Sequence, residues 1–282
     1  MYVLCSPCVL NPGLRANGIT RPSDLDMFRR SIERCTRFSI DVVPLPCPET
    51  LYLGPGREPG TFLDRLNTPA FAALMDELEQ DIHRIVRERG PPLCIIGVNS
   101  SPTCGVTSTY YGSTGKELPK REGRGVFLSR FPGITAMDVS LFARYRIYLA
   151  APLFSDAERT YNASLAALLE KNLFEVHLPQ EAGDDTDMRG KCAQERIFSE
   201  NKKGIEEADC VIAVIDGADA DSGTAWEMGY AYAMNKPVIA IRTDFRRVGR
   251  NEYVNLMLEE SATVVTDTQQ LLAALHSPVP GL

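Results

Sequence analysis

Histidine is scarce in this chain: His83, His177 and His276 are the three in 282 residues, and none falls beside a cysteine cluster. A zinc site of the Cys/His finger type therefore has no support. Basic charge is also short, with 30 Lys and Arg against 37 Asp and Glu and a net charge of -7. A protein that grips duplex DNA regardless of sequence needs a basic face, so nucleic acid is not an expected partner. No apolar run reaches membrane-spanning length, and the opening MYVLCSPCVL lacks the basic start and long apolar core of a secretory leader. A membrane partner is not expected either, and a cytoplasmic location is. What the chain has is 44% hydrophobic residues, enough for a sizeable core, and eight cysteines: Cys5, Cys8, Cys35, Cys47, Cys94, Cys104, Cys192 and Cys210. Cytoplasmic thiols stay reduced, which favours metal binding or thiol chemistry over a disulfide framework.

The pattern of elements divides the chain near residue 143, into a first domain over 1–142 and a second over 143–282. In the second, strand-type runs at Arg146 to Ala151, Phe174 to Leu178, Cys210 to Ile215, Pro237 to Arg242 and Thr263 to Thr266 alternate with helical segments. Those segments are Ser155 to Lys171, Arg189 to Glu207, Gly223 to Met234 and Thr268 to His276. Such alternation predicts an α/β fold whose parallel sheet carries helices on both faces, a five-stranded flavodoxin-like or Rossmann-like unit. The first domain reads as a smaller α/β unit, with Ser23 as N-cap of a helix over Asp24 to Phe38 and a second helix running from Thr68-Pro69 to Gly90. Its strands are expected at Tyr2 to Leu4, Asp41 to Leu45 and Leu93 to Val98. The stretches Pro46 to Gly60 and Ser101 to Gly125 read as long loops, a length that suits a ligand site.

The run DADSGTAWEMGYAYA, Asp219 to Ala233, follows the apolar strand ADCVIAVIDG. Ligands in open α/β sheets bind at the carboxyl ends of strands, so this loop is the first place to look for a site. Asp221 and Glu227 flank the tight turn Ser222-Gly223-Thr224. Two carboxylates on such a turn suit glycosyl transfer, one as nucleophile for an oxocarbenium-like sugar and one to handle the leaving group's proton. A helix-capping Asp and a surface Glu would produce the same letters.

Several further motifs accompany this loop in order: IYLAAPLFS from Ile147, Asn162, IFSENKKGIEEADCVIAVIDG from Ile197 and KPVIAIRTDFR from Lys236. Together, over about residues 144 to 260, they resemble the nucleoside 2-deoxyribosyltransferase family. The resemblance implies Glu227 as the nucleophile that forms a glycosyl-enzyme ester, Asp221 as acid/base and Tyr148 as the group that positions the nucleophile. It implies substrate contacts from Asp216 and Gly223, and from Asn201, which stands where many members carry an aspartate for sugar hydroxyls. An amide at that place leaves the preferred sugar open. The segment Asn255 to Met257 resembles one that completes a neighbouring subunit's site, implying a homo-oligomer; packing of Leu256 and Met257 within a helix is the plain alternative. Members include transferases and hydrolases, some acting on nucleotides, and Ser155 or Ser222 could serve a phosphate. No cofactor is expected here.

In the first domain, cysteines stand beside loop-forming residues in SPCVLNPGLRANG, PLPCPE and SSPTCG, each after an apolar segment. Strand ends could bring Cys8, Cys47 and Cys104 together as a soft metal site; scattered core cysteines are the alternative. The order C-x-x-x-x-G-x-R-x-x-G, V-P-x-x-C-P-E, S-P-x-C-G resembles the 2-thiouracil desulfurase family over about residues 1 to 140. The resemblance implies a 4Fe-4S cluster on Cys8, Cys47 and Cys104 whose fourth iron takes the sulfur of a thiolated pyrimidine. Ser101 and Glu49 are then candidates to orient water or base, and Arg15 to bind an anionic substrate. Cys5 and Cys8 form a C-x-x-C, so a redox pair is an alternative role, although Cys5 falls inside the first strand. The chain departs from the family at Pro7-Cys8 and at Arg15-Ala16-Asn17-Gly18, which leaves the substrate contacts there open.

Both halves together point to a bifunctional enzyme of thiolated nucleobase or nucleoside salvage acting on small molecules. Two other readings remain open: a deoxyribosyltransferase or N-glycosidase with a structural cysteine domain, and a non-catalytic sensor of a nucleotide-derived ligand.

Overall fold

The computed structural model describes residues 1–113, 120–181, 191–246, 249, 252 and 254–276. The chain divides into two compact units, Met1–Ala143 and Arg144–Leu282.

In the first unit the elements run β1 (Tyr2–Cys5), α1 (Pro7–Leu10), α2 (Pro22–Arg37), β2 (Asp41–Pro44), α3 (Pro48–Leu53), α4 (Phe62–Arg65), α5 (Pro69–Arg89) and β3 (Ile95–Gly97). They continue with β4 (Ser108–Tyr110), β5 (Lys120–Glu122), β6 (Ala136–Asp138) and α6 (Val139–Phe142). Four strands form a parallel sheet in the order β2-β1-β3-β6. The core includes Leu4 and Ile95 from the sheet against Phe71, Met75, Leu78 and Ile82 of α5. Those four helix positions recur every three or four residues, which is the stripe a helix needs to lie on a sheet.

Caps account for the helix ends. Thr68 Oγ1 accepts from Phe71 N at 3.2 Å and Pro69 occupies the first position of α5, while Gly90 closes it at φ +79°. The start of α2 corrects the expected Ser23 cap. Arg21 is the N-cap, because Pro22 brings a helical φ to the first position and Asp24 Oδ2 accepts back from Arg21 N at 3.0 Å. The stretches expected as loops carry structure too: α3 lies within Pro46 to Gly60, and β4 and β5 pair antiparallel within Ser101 to Gly125.

The second unit runs β7 (Arg146–Ala150), α7 (Asp156–Lys171), β8 (Glu175–His177), α8 (Lys191–Glu207), β9 (Cys210–Val214), α9 (Ser222–Ala233) and β10 (Val238–Ile241). It ends with α10 (Leu256–Glu260), β11 (Thr263–Val265) and α11 (Thr268–Leu275). The expected start of α8 at Arg189 lies outside the described residues. Five strands form a wholly parallel sheet, β11-β10-β9-β7-β8. Counted within the unit, that order is 5-4-3-1-2, the flavodoxin-like winding, and it reverses direction between β7 and β9. The first unit's order, 2-1-3-4, reverses likewise between β1 and β3. Among the described residues no helix is long and apolar enough to cross a membrane.

Candidate active site

The reversal between β7 and β9 sets the second unit's site. Tyr148, fully buried on β7, pairs in register with Val211 of β9 on one side and His177 of β8 on the other. Its ring stacks on His177 with centroids 5.2 Å apart and planes 14° from parallel. Its hydroxyl donates to Glu227 Oε1 from α9.

The α9 helix starts where Asp221 caps it, Oδ2 accepting from Gly223 N at 2.9 Å and Thr224 N at 3.0 Å. The capping reading of Asp221 is thus real, and it also brings Glu227, on the second turn, toward the strand ends. A residue without a side chain at 223 suits this turn, since a Cβ there would lie 3.1 Å from Asp221 Oδ2.

Burial pushes the Glu227 carboxyl up to about 7; the Tyr148 hydrogen bond works against that rise, and the charge of Asp221 adds to it. Tyr148 is itself shifted upward by burial and by Glu227, so its phenol keeps the proton it donates. A carboxylate desolvated this way, aimed by a phenol and neighboured by a second carboxylate, can attack an electrophilic carbon while the second group exchanges a proton.

The remaining residues expected here divide. Asn201 on α8 has a buried Oδ1 without a hydrogen-bond partner among the described residues, as do His177 Nε2 and Tyr161 Oη. These buried atoms leave hydrogen-bonding capacity for a ligand. Asp216 has a local role: Oδ1 accepts from Thr243 N at 2.6 Å and Asp244 N at 2.8 Å, and Oδ2 from Thr243 Oγ1 at 2.6 Å. It fastens the loop after β10 to the end of β9. Asn255 caps α10 through Met257 N at 3.0 Å, and Met257 is 76% exposed. Ser155 caps α7 in a box with Glu158.

In the first unit the three cysteines stand after successive strands of the sheet: Cys8 on α1 after β1, Cys47 at the N-cap of α3 after β2, and Cys104 in the loop after β3. The register pairs Cys5 with both Pro44 and Ile96, which levels the three strand ends. Burial pushes Cys8 up to about 12, with Cys47 adding to the rise; burial raises Cys104 as well, with Cys47 and Cys8 adding. Arg15 acts on Cys8 in the opposite sense.

Gly97 and Gly105 let the Cys104 loop close on the strand: a Cβ at 97 would stand 2.6 Å from Cys104 O, and one at 105 would stand 2.6 Å from Ser108 O. Cys5 is fully buried in β1 and its thiol is raised by burial, so it lacks the exposed thiolate of a redox pair.

Glu49 and Ser101 meet directly. Glu49 Oε1 accepts from Ser101 Oγ at 3.1 Å and Thr103 Oγ1 at 2.8 Å, and Oε2 accepts from Arg57 Nε at 3.3 Å and Nη2 at 3.2 Å. Thr103, Thr50 and Arg57 were not singled out from the sequence. A charged residue inside the Gly/Pro-rich GPGREPG was the one visible signal. Arg15 is paired with Asp24 at 2.6 Å and lies over the Phe28 ring, so its charge is already partnered.

Soft sulfur donors from three aligned loops fit an iron-sulfur cluster. Among the described residues no three His, Cys, Asp or Glu side chains are gathered as a site for one metal ion. A polynuclear cluster takes each thiolate on a different iron and needs them spread more widely.

Residues 147–267, from the strand of Tyr148 to the cap of α11, match the family described as nucleoside 2-deoxyribosyltransferase. An uncharacterized protein of Ureaplasma parvum serovar 3, UU063, is 32% identical over 131 residues, which cover 41% of this chain and 82% of that protein. Among solved structures, a conserved protein of Enterococcus faecalis V583 is 28% identical at a TM-score of 0.41, covering 46% of this chain and 96% of that one. A 2-deoxyribosyltransferase of Bacillus psychrosaccharolyticus is 26% identical at a TM-score of 0.41, covering 47% and 98%. Tyr148, Asp221 and Glu227 all lie inside the segment of the second unit, residues 147–267, that matches the nucleoside 2-deoxyribosyltransferase family.

Proposed function

We propose that the second unit breaks the N-glycosidic bond of a nucleoside or nucleotide and passes the sugar to another base or to water. Glu227 attacks the anomeric carbon; the bond to the base breaks with its electron pair going to the base nitrogen, and Asp221 supplies the proton. The incoming base or water then displaces Glu227 and returns a proton to Asp221. The observation that carries this reading is the buried Glu227 held by the Tyr148 hydroxyl. In this reading the unpartnered Oδ1 of Asn201 serves the sugar hydroxyls, and the exposed Asn255 to Met257 segment serves a second copy in a homo-oligomer. The test is release of free base from a panel of ribo- and deoxyribonucleosides and nucleotides, with and without an acceptor base. Glu227→Ala should lower release by roughly 1,000-fold or more; unchanged release removes Glu227 from the reaction. A new nucleoside formed with the acceptor identifies a transferase, and release unaffected by it a hydrolase.

For the first unit, the placing of Cys8, Cys47 and Cys104 just beyond the level ends of three neighbouring strands favours a second reading, desulfuration of a thiolated pyrimidine. The three thiols would hold a 4Fe-4S cluster, which when bound supplies an open iron for the substrate's sulfur. Glu49, fixed by Ser101 and Thr103, orients the water that replaces sulfur on the ring. The chain then serves salvage of thiolated bases with both units active. Anaerobic purification followed by iron and sulfide analysis tests this reading. Brown protein that loses its absorbance in Cys47→Ala supports it, and absence of iron under strict anaerobiosis overturns it in favour of a structural cysteine unit.

A further inference from the structure

We infer that Arg57 is a positioning residue that assembles the three-cysteine pocket, its buried guanidinium tying the Cys8 and Cys47 segments directly and the Cys104 loop through Glu49. Arg57 is 8% exposed, although it sits in a loop between two glycines with positive φ, Gly54 and Gly56, and Pro59.

Every group its side chain touches belongs to a cysteine loop. Nη1 donates to Leu14 O at 2.7 Å, in the loop that follows Cys8. The same nitrogen donates to Thr50 Oγ1 at 2.9 Å, and that hydroxyl lies 3.1 Å from Cys47 Sγ. Nε and Nη2 both reach Glu49 Oε2, on the helix that Cys47 opens. The other oxygen of Glu49 accepts from Ser101 and Thr103, and Ser101 Oγ in turn accepts from Cys104 N at 3.0 Å. The main chain adds a stitch, Asn17 N donating to Arg57 O at 2.8 Å.

Burying a guanidinium and a carboxylate is costly, and a well-packed apolar pair often serves stability as well. The gain here is geometric. A planar fork with fixed donor directions sets Glu49, Thr50 and Leu14 at defined angles, which a lysine ammonium with a single charge centre cannot reproduce. Removing it leaves Glu49 held from one side only, by Ser101 and Thr103, and takes from Thr50 the donor that fixes its hydroxyl beside Cys47, so two features of the pocket loosen together.

The inference deepens the desulfuration reading and rests on it only for its iron arm. The first measurement needs no iron: maleimide labelling of metal-free native protein, with each cysteine followed by peptide mass. In Arg57→Gln, labelling of Cys8 and Cys47 should rise by about tenfold, while Cys35, Cys94 and Cys210 keep their wild-type rates. Arg57→Lys should label like Arg57→Gln. The double variant Arg57→Gln/Glu49→Gln should add little beyond the single changes, because the two side chains act as one unit.

Wild-type labelling in Arg57→Gln, or full restoration by lysine, overturns the inference. Faster labelling of all cysteines overturns a local role. Thr50→Val, which removes one contact of the fork, is a separate check and should raise Cys47 labelling alone. The second measurement is iron content and visible absorbance after anaerobic reconstitution. Iron in the wild type with a reduced content in Arg57→Gln supports both readings. Absence of iron from the wild type defeats the cluster and leaves the labelling result to judge Arg57.

Discussion

The two units share a winding order and place opposite chemistries at the same point of it. In each, the sheet reverses direction between its first and third strands, and the crevice at that reversal receives the loops after them. The first unit delivers thiols there, from the ends of β1, β2 and β3; the second delivers a phenol from β7 and two carboxylates from the loop and helix after β9. Burial raises the titrating groups of both, but with different results. It leaves Cys8 a neutral thiol with little nucleophilic character, and it leaves Glu227 near neutrality, where it can change protonation during turnover. The location of a site follows from the fold, and what it does follows from which side chains the loops carry.

The largest effect that would sharpen this contrast is expected from Gly97→Val. Its new side chain meets Cys104 O and Val106, so iron uptake should be abolished while release of base by the second unit stays at the wild-type rate. Parallel loss of both activities would break the separation of the two chemistries.

Tyr148→Phe removes a hydrogen bond to a charged group and should lower the rate of sugar cleavage by roughly 10- to 100-fold. That bond holds the Glu227 carboxyl down, so the rise of rate with pH, expected near 7 in the wild type, should move to higher pH in the variant. A pH–rate profile checks it, and an unmoved limb would detach Tyr148 from Glu227.

Glu227→Gln should stabilise the protein above pH 7. The folded carboxyl takes up its proton at about 7 against an ordinary 4.5, so the folded state binds more protons across that window and stability falls as pH rises through it. The variant escapes this loss, and should gain about 1–3 kcal/mol at pH 8 and nothing at pH 4 by chemical denaturation. Equal gains at both values would assign the effect to something other than titration.

The smallest effect belongs to Thr68→Ala, which removes the α5 cap and should cost the first unit about 1 kcal/mol, measured by denaturant midpoint, with sugar cleavage unchanged.

Strand ends were legible because buried parallel strands are continuous apolar runs, as at Cys210 to Ile215, and the loop that follows such a run is a marked position. Cys8, Cys47, Cys104, Asp221 and Glu227 could be placed on that basis. The Thr68-Pro69 start and Gly90 stop of α5 were legible from local chemistry alone. The Arg21 cap was hidden because arginine is not a capping residue by type, and its role is supplied by Asp24 three positions on. Strand β6 is three residues without an apolar run, and it exists because it pairs with β3. Arg57, Thr103 and the partnering of Asp216 with Thr243 are long-range, between residues whose separation no local pattern encodes. The stacking of His177 on Tyr148 follows from strand register, which appears only once β7 and β8 are paired.

The protonated state that burial imposes on Cys8 and Cys104 bears on how the protein survives outside its working conditions. Oxidants attack thiolates, and the steps to sulfenic and sulfinic acid begin there. Thiols held neutral in this way are therefore slow to be damaged in air, and Cys8 and Cys104 keep their reactivity in reserve until a partner that favours the thiolate reaches them.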